Sequence, residues 1–305
     1  MNIKRLKKSV CILLISCILT GCGGGDDKNY PSEYETSPSP TISELKLPES
    51  PGTDVITDDS GLVQIDYSNA SQGYLQAKLL HESDKRVRIG ITKDGVGNIA
   101  YDFTKTGEYE TFPFDRGSGS YLIKVYLNIS GKKYAVILTQ TIDVQLENEQ
   151  LPFLYPNQIV DYNQNSEAIK KAFELTKDDD TVLKRIATLY NYVVDNVSYD
   201  EDKAKKVSDI YVLPIVDKTL DEKKGICFDY AALLAAMLRS QQIPTRLVTG
   251  NTTIEYHAWV EVYIQGKGWI TPDVLLNAKK WSRMDPTFES SGIDYEDDYE
   301  DKYYY

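Results

Sequence analysis

Histidine and cysteine are scarce in this 305-residue chain, with two of the first and four of the second. His81 and His257 stand far apart, and no cysteine or histidine pair has metal-ligand spacing, so neither a metal site nor a cofactor is expected. Basic residues are outnumbered, 34 Lys and Arg against 46 Asp and Glu, for a net charge of -12. That balance argues against nucleic acid as a partner, because phosphate binding is driven by Lys and Arg. Apolar runs are short: Val10 to Leu19 is too brief for a permanent membrane span.

What is present begins with a targeting signal. Lys4, Arg5, Lys7 and Lys8 precede that apolar run, and the small residue Gly21 precedes Cys22. Leu19-Thr20-Gly21-Cys22 resembles the bacterial lipobox. The resemblance implies cleavage before Cys22, a diacylglycerol on its sulfur, and an exported, extracytoplasmic protein held to the membrane by that lipid. Residues 1–21 then read as a lipoprotein signal peptide. Residues 22–54, rich in Gly, Ser, Pro and acids without apolar period, read as a flexible tether. Cys11 and Cys17 leave with the signal, so with Cys22 acylated Cys227 is the one thiol remaining. An unpaired thiol in an export setting is a candidate for reactivity.

Fold class reads as α+β. Over residues 55–147, short alternating runs such as Leu62 to Ile65, Tyr74 to Leu80, Arg86 to Ile89, Tyr121 to Leu127 and Tyr134 to Leu138 predict an immunoglobulin-like β-sandwich. His81 falls at a strand end there and reads as a surface residue. Residues 148–290 form a second unit. Ser166 to Leu175 and Thr181 to Val197 carry helical spacing, with Thr181 after three aspartates as the start of the second helix. Tyr199 to Leu213 reads as a polar surface loop, with Leu213 to Val216 and nearby tyrosines as either core or groove lining. Residues 291–305 alternate Asp, Glu and Tyr and read as a disordered tail.

The second unit holds the chemistry. Gly225-Ile226-Cys227 opens an Ala/Leu-rich run ending near Arg239. This puts Cys227 at a helix N-terminus, where unpaired N–H groups and the macrodipole favour a thiolate. Tyr256 to Ile264 is an alternating strand with His257 at its start, able to serve as base and then as acid to the leaving amine. An orienting carboxylate has two candidates, Asp273 and Asp285, each four residues after a tryptophan.

Taken together, Gly225-x-Cys227 with its helix, Ile243-Pro244-Thr245-Arg246, His257-Ala258-Trp259-x-Glu261-Val262 and Asp285-Pro286-Thr287 resemble the transglutaminase-like superfamily. The resemblance covers roughly residues 166–290. It implies a papain-like core with Cys227 as nucleophile, His257 as base and Asp285 as orienter; the commoner spacing in the family points to Asp273 instead. It also implies acyl transfer on protein or cell-wall peptide amides, by hydrolysis or crosslinking. A scaffold of the same fold that binds peptide or glycan without turnover is the alternative.

Overall fold

The computed structural model describes residues 35–207, 212–251, 256–271 and 300–305, leaving aside the side chains of 96–98 and 300–302. In the first half the alternating runs become strands: β1 (Val55–Thr57), β2 (Val63–Asp66), β3 (Tyr74–Leu79), β4 (Val87–Lys93), β5 (Val96–Asp102), β6 (Glu110–Pro113), β7 (Gly119–Ser130) and β8 (Lys133–Val144). They form two antiparallel sheets, ordered β1-β2-β3-β6 and β5-β4-β7-β8. On β7 Tyr121, Ile123 and Val125 are buried while Leu122, Lys124 and Tyr126 are partly exposed, the period-2 mark of a strand with one face in a core. Ile65, Leu75 and Phe112 from one sheet join Ile89, Ile123 and Val125 from the other in one cluster. The result is the expected β-sandwich.

A tight approach joins this sandwich to the second half of the chain. At Gly73, with φ 95°, a Cβ would lie 2.5 Å from Pro152 Cγ. Only glycine lets the short turn Leu151–Phe153 close against the end of β3.

The second half contains α1 (Glu167–Thr176), α2 (Val182–Asn196), β9 (Ser198–Tyr199), α3 (Glu201–Val207), α4 (Val216–Glu222), β10 (Lys224–Gly225) and α5 (Cys227–Ser240). Strands β11 (Thr245–Asn251), β12 (Tyr256–Ile264), β13 (Gly268–Ile270) and β14 (Glu300–Tyr304) complete it. Thr181 caps α2, its Oγ1 accepting the Lys184 N–H at 3.3 Å. Ile186, Leu189, Tyr190 and Val193 form the buried stripe of that helix. Helix α5 is the centre of the unit, with every residue from Asp229 to Ser240 buried. On one side it meets α1, α2 and α4; on the other it meets the sheet ordered β13-β12-β11-β14.

Three expectations are corrected. The stretch read as a surface loop after Tyr199 includes α3, where Glu201 and Asp202 occupy the first turn and Lys205 and Lys206 the last, matching the helix dipole. The tether is not loose from Thr36 onward: Thr36 bridges Thr181, Ser37 donates its N–H to Asp180 O at 2.7 Å, and the Ser39 hydroxyl donates to Thr176 O at 2.5 Å. Further along, the Glu49 N–H donates to the Tyr74 hydroxyl at 3.0 Å. These residues dock through main-chain groups and a serine hydroxyl, which leave no apolar period to read. The disordered tail is contradicted at its end, where β14 pairs antiparallel with β11 and Tyr305 is buried. A tyrosine-rich strand with one buried face has the composition mistaken for disorder; residues 291–299 lie outside the described residues.

Asp115, in the loop after β6, lies at the meeting of the two halves. It is buried, and its Oδ2 has no hydrogen-bond partner among the described residues. Burial pushes its carboxyl up to about 7, against the opposing charges of Arg116, Arg246 on β11 and Lys93 on β4. A group that binds its proton more tightly when folded contributes stability that is fully present below its unfolded pKa and is lost as pH rises from there through the folded pKa. Asp115→Asn is therefore expected to flatten the fall in stability between roughly pH 4 and pH 7 and to raise the denaturation midpoint above that window. Denaturant melts across pH test this, and identical pH profiles for variant and parent would refute it.

Candidate active site

Cys227 is the first residue of α5, and Ile226 before it has extended backbone, φ -100° and ψ 175°. The helix start is locked by a residue that sequence reasoning passed over. Asp229, two positions after the cysteine, accepts the Ile226 N–H at 2.9 Å. Its carboxylate is buried and takes two hydrogen bonds from Lys203 Nζ on α3, both 2.7 Å. The signal was available, since an acid at the third helical position is where a capping carboxylate belongs. Lys203 was not legible, because its segment read as loop. Gly225 is required beside this clamp: a Cβ there would fall 2.7 Å from Asp229 Cβ. Tyr230 fastens the next position, donating its hydroxyl to Val197 O at 2.7 Å. The Cys227 thiol itself is free and partly exposed, so the helix presents its first N–H groups and a sulfur at a fixed place.

His257 is buried near the start of β12, paired with Gly250. Strand alternation divides β12 into two faces. Ala258, Val260, Val262 and Ile264 share a core cluster with α5, and Tyr256 belongs to their side. His257, Trp259 and Glu261 belong to the other side. There Glu261 accepts the Arg246 Nε–H at 2.7 Å, and the Arg246 guanidinium lies 4.6 Å from the Trp269 ring and 4.1 Å from that of Tyr304.

The structure thus brings Cys227 and His257 to neighbouring elements and sets Tyr256 on the thiol's side of the sheet. Tyr256 is half exposed and donates its hydroxyl to Thr249 Oγ1 at 2.7 Å. Burial raises its phenol above the ordinary value, and the charges of Tyr303 and Cys227 add to the rise. Of the other sequence candidates, Asp273, Asp285 and Cys22 lie outside the described residues. His81 is exposed, its Nδ1 3.2 Å from Glu82 O.

Comparison with known proteins bears on this unit. Residues 169–286 match the family model described as the transglutaminase-like superfamily. An uncharacterized Bacillus subtilis protein, YebA, is 29% identical over 121 residues, 33% of this chain and 16% of the relative. A UPF0252 protein of Methanocaldococcus jannaschii is 35% identical over 101 residues, 29% of this chain and 27% of the relative. The chain therefore spans well under a third of either relative's length. Among solved structures, a candidate cysteine protease from Cytophaga hutchinsonii is similar at 19% identity and a TM-score of 0.36, covering 65% of this chain and 77% of that one. The segment that carries Cys227, His257 and the helix between α4 and β11 thus matches the transglutaminase-like superfamily, over residues 169–286.

Proposed function

We propose that this chain is a cysteine acyl-transfer enzyme of that superfamily, lipid-anchored at Cys22 on the outer side of the membrane and acting on protein or cell-wall peptide amides. The observation that carries the reading is the thiol: Cys227 opens α5 within the matched segment, its helix start clamped by Asp229 and Lys203. In this reading the sulfur attacks a substrate carbonyl and the amine leaves with a proton from His257. The thioester then passes its acyl group to water or to a second amine. In this reading the Cys227 N–H is one donor to the developing oxyanion. Asp285, or Asp273 in its place, orients the imidazole; the matched segment spans both.

One observation favours a second reading, a scaffold that holds peptide or glycan without turnover. His257 stands opposite Gly250, and by strand alternation it sits on the face of β12 opposite the one whose Ala258, Val260, Val262 and Ile264 pack with α5.

Iodoacetamide labelling separates the two. In the enzyme reading Cys227 labels fast at mildly acidic pH, and His257→Ala together with one of Asp285→Ala or Asp273→Ala slows it by roughly tenfold or more. Slow labelling that ignores all three changes assigns the protein to the scaffold reading.

A further inference from the structure

A strand from outside the matched segment joins the sheet that packs on the thiol's helix. β14 pairs with β11 so that Tyr303 lies opposite Thr249, which in turn lies opposite Ala258 on β12. Those three positions share the face that meets α5. Tyr303 is partly buried, and the charges of both Tyr303 and Cys227 reach the Tyr256 phenol. The Tyr305 ring links Tyr303 and Phe228, its centroid 6.4 Å from that of the first and 6.5 Å from that of the second. Tyr256 completes the group through its hydrogen bond to Thr249.

β14 is built in rather than laid on. Tyr305 exchanges main-chain hydrogen bonds with Leu247, at 2.8 and 3.0 Å, and Arg239 donates to Tyr305 O at 2.5 Å. Tyr304 faces the opposite way, onto Arg246. An element so fastened is wall, not lid.

We propose that Tyr303 and Tyr256 form an aromatic wall beside Cys227 that selects acyl donors carrying a neutral, flat side chain next to the attacked carbonyl. The proposal rests on Cys227 being the nucleophile. Ring faces and edges reward flat apolar groups. A carboxylate there meets the negative charge of the attacking thiolate and a chain with net charge -12, and is repelled.

The test uses three electrophiles of one chemistry on the full chain: iodoacetamide, N-benzyl iodoacetamide and iodoacetate. In each, the sulfur displaces iodide, which leaves with the electron pair of the carbon–iodine bond, and labelling at Cys227 is followed by peptide mass. The benzyl reagent is expected to outrun iodoacetamide, and iodoacetate to lag. Tyr303→Ala should cut the benzyl-to-plain rate ratio about fivefold. Tyr303→Val, which keeps strand propensity without the ring, should do the same, while Tyr303→Phe and Tyr304→Ala leave the ratio in place. An unchanged ratio in Tyr303→Val overturns the wall. The plain iodoacetamide rate and its dependence on His257 report separately on whether Cys227 is an activated nucleophile.

Discussion

Arg239→Met is expected to destabilise the protein by about 3–5 kcal/mol, although residue 239 touches neither candidate catalytic side chain. The guanidinium is 1% exposed. It donates through Nε to Thr245 O at 2.8 Å, through Nη1 to Tyr155 O at 2.8 Å and through Nη2 to Tyr305 O at 2.5 Å. One side chain therefore holds α5, the start of β11, the linker behind the sandwich and the end of β14. Burial brings its pKa down to about 10, so it stays charged at neutral pH, and that buried charge is itself a cost. Methionine removes the charge but strands three carbonyls, each worth about 1–3 kcal/mol when left dry, and the stranded acceptors outweigh the relief. Lysine keeps the charge and lacks the fork that reaches three acceptors, so Arg239→Lys should be at least as damaging. Guanidinium melts of both variants decide it; a methionine variant within about 1 kcal/mol of the parent would mean that the carbonyls find water.

Cys227→Ala should remove acyl transfer by roughly 10⁴-fold or more, with stability almost unchanged. The side chain is only partly buried and packs at the edge of the core, so its loss opens no interior cavity. Cys227→Ser should be nearly as inactive, because a hydroxyl needs a stronger base than a thiol to become a nucleophile. Incorporation of a fluorescent primary amine into an acyl-donor protein reads transfer, and release of ammonia or peptide reads hydrolysis. Turnover in Cys227→Ala equal to that of the parent would move the chemistry elsewhere in the chain.

Much of this architecture was legible in the residues. Thr181, Ile186, Leu189 and Val193 announce α2 through a cap and a 3.6-residue period, and the alternation of Tyr121, Ile123 and Val125 announces β7. The helix behind Cys227 was plain because alanine and leucine suit a helix buried all round. What escaped were elements whose stability comes from partners distant in sequence. β14 reads as acid and tyrosine until β11 supplies its ladder and Arg239 its end. The segment from Thr36 to Glu49 reads as linker because its anchors are backbone groups and a serine hydroxyl. In the candidate site, composition picked out Cys227 and His257, the rare residues. Asp229 carries a capping signal at the third helical position, whereas Lys203 and Tyr303 are common types whose roles follow only from α3 and β14 being where they are.

The docked segment has a mechanical meaning under the proposed anchoring at Cys22. Thr36 is bridged to Thr181 at the head of α2, and Cys22 precedes Thr36 by 14 residues. A chain of that length spans at most about 50 Å. Under that proposal the head of α2 is the point of suspension, and the distance of the thiol from the bilayer is bounded by where the chain is tied.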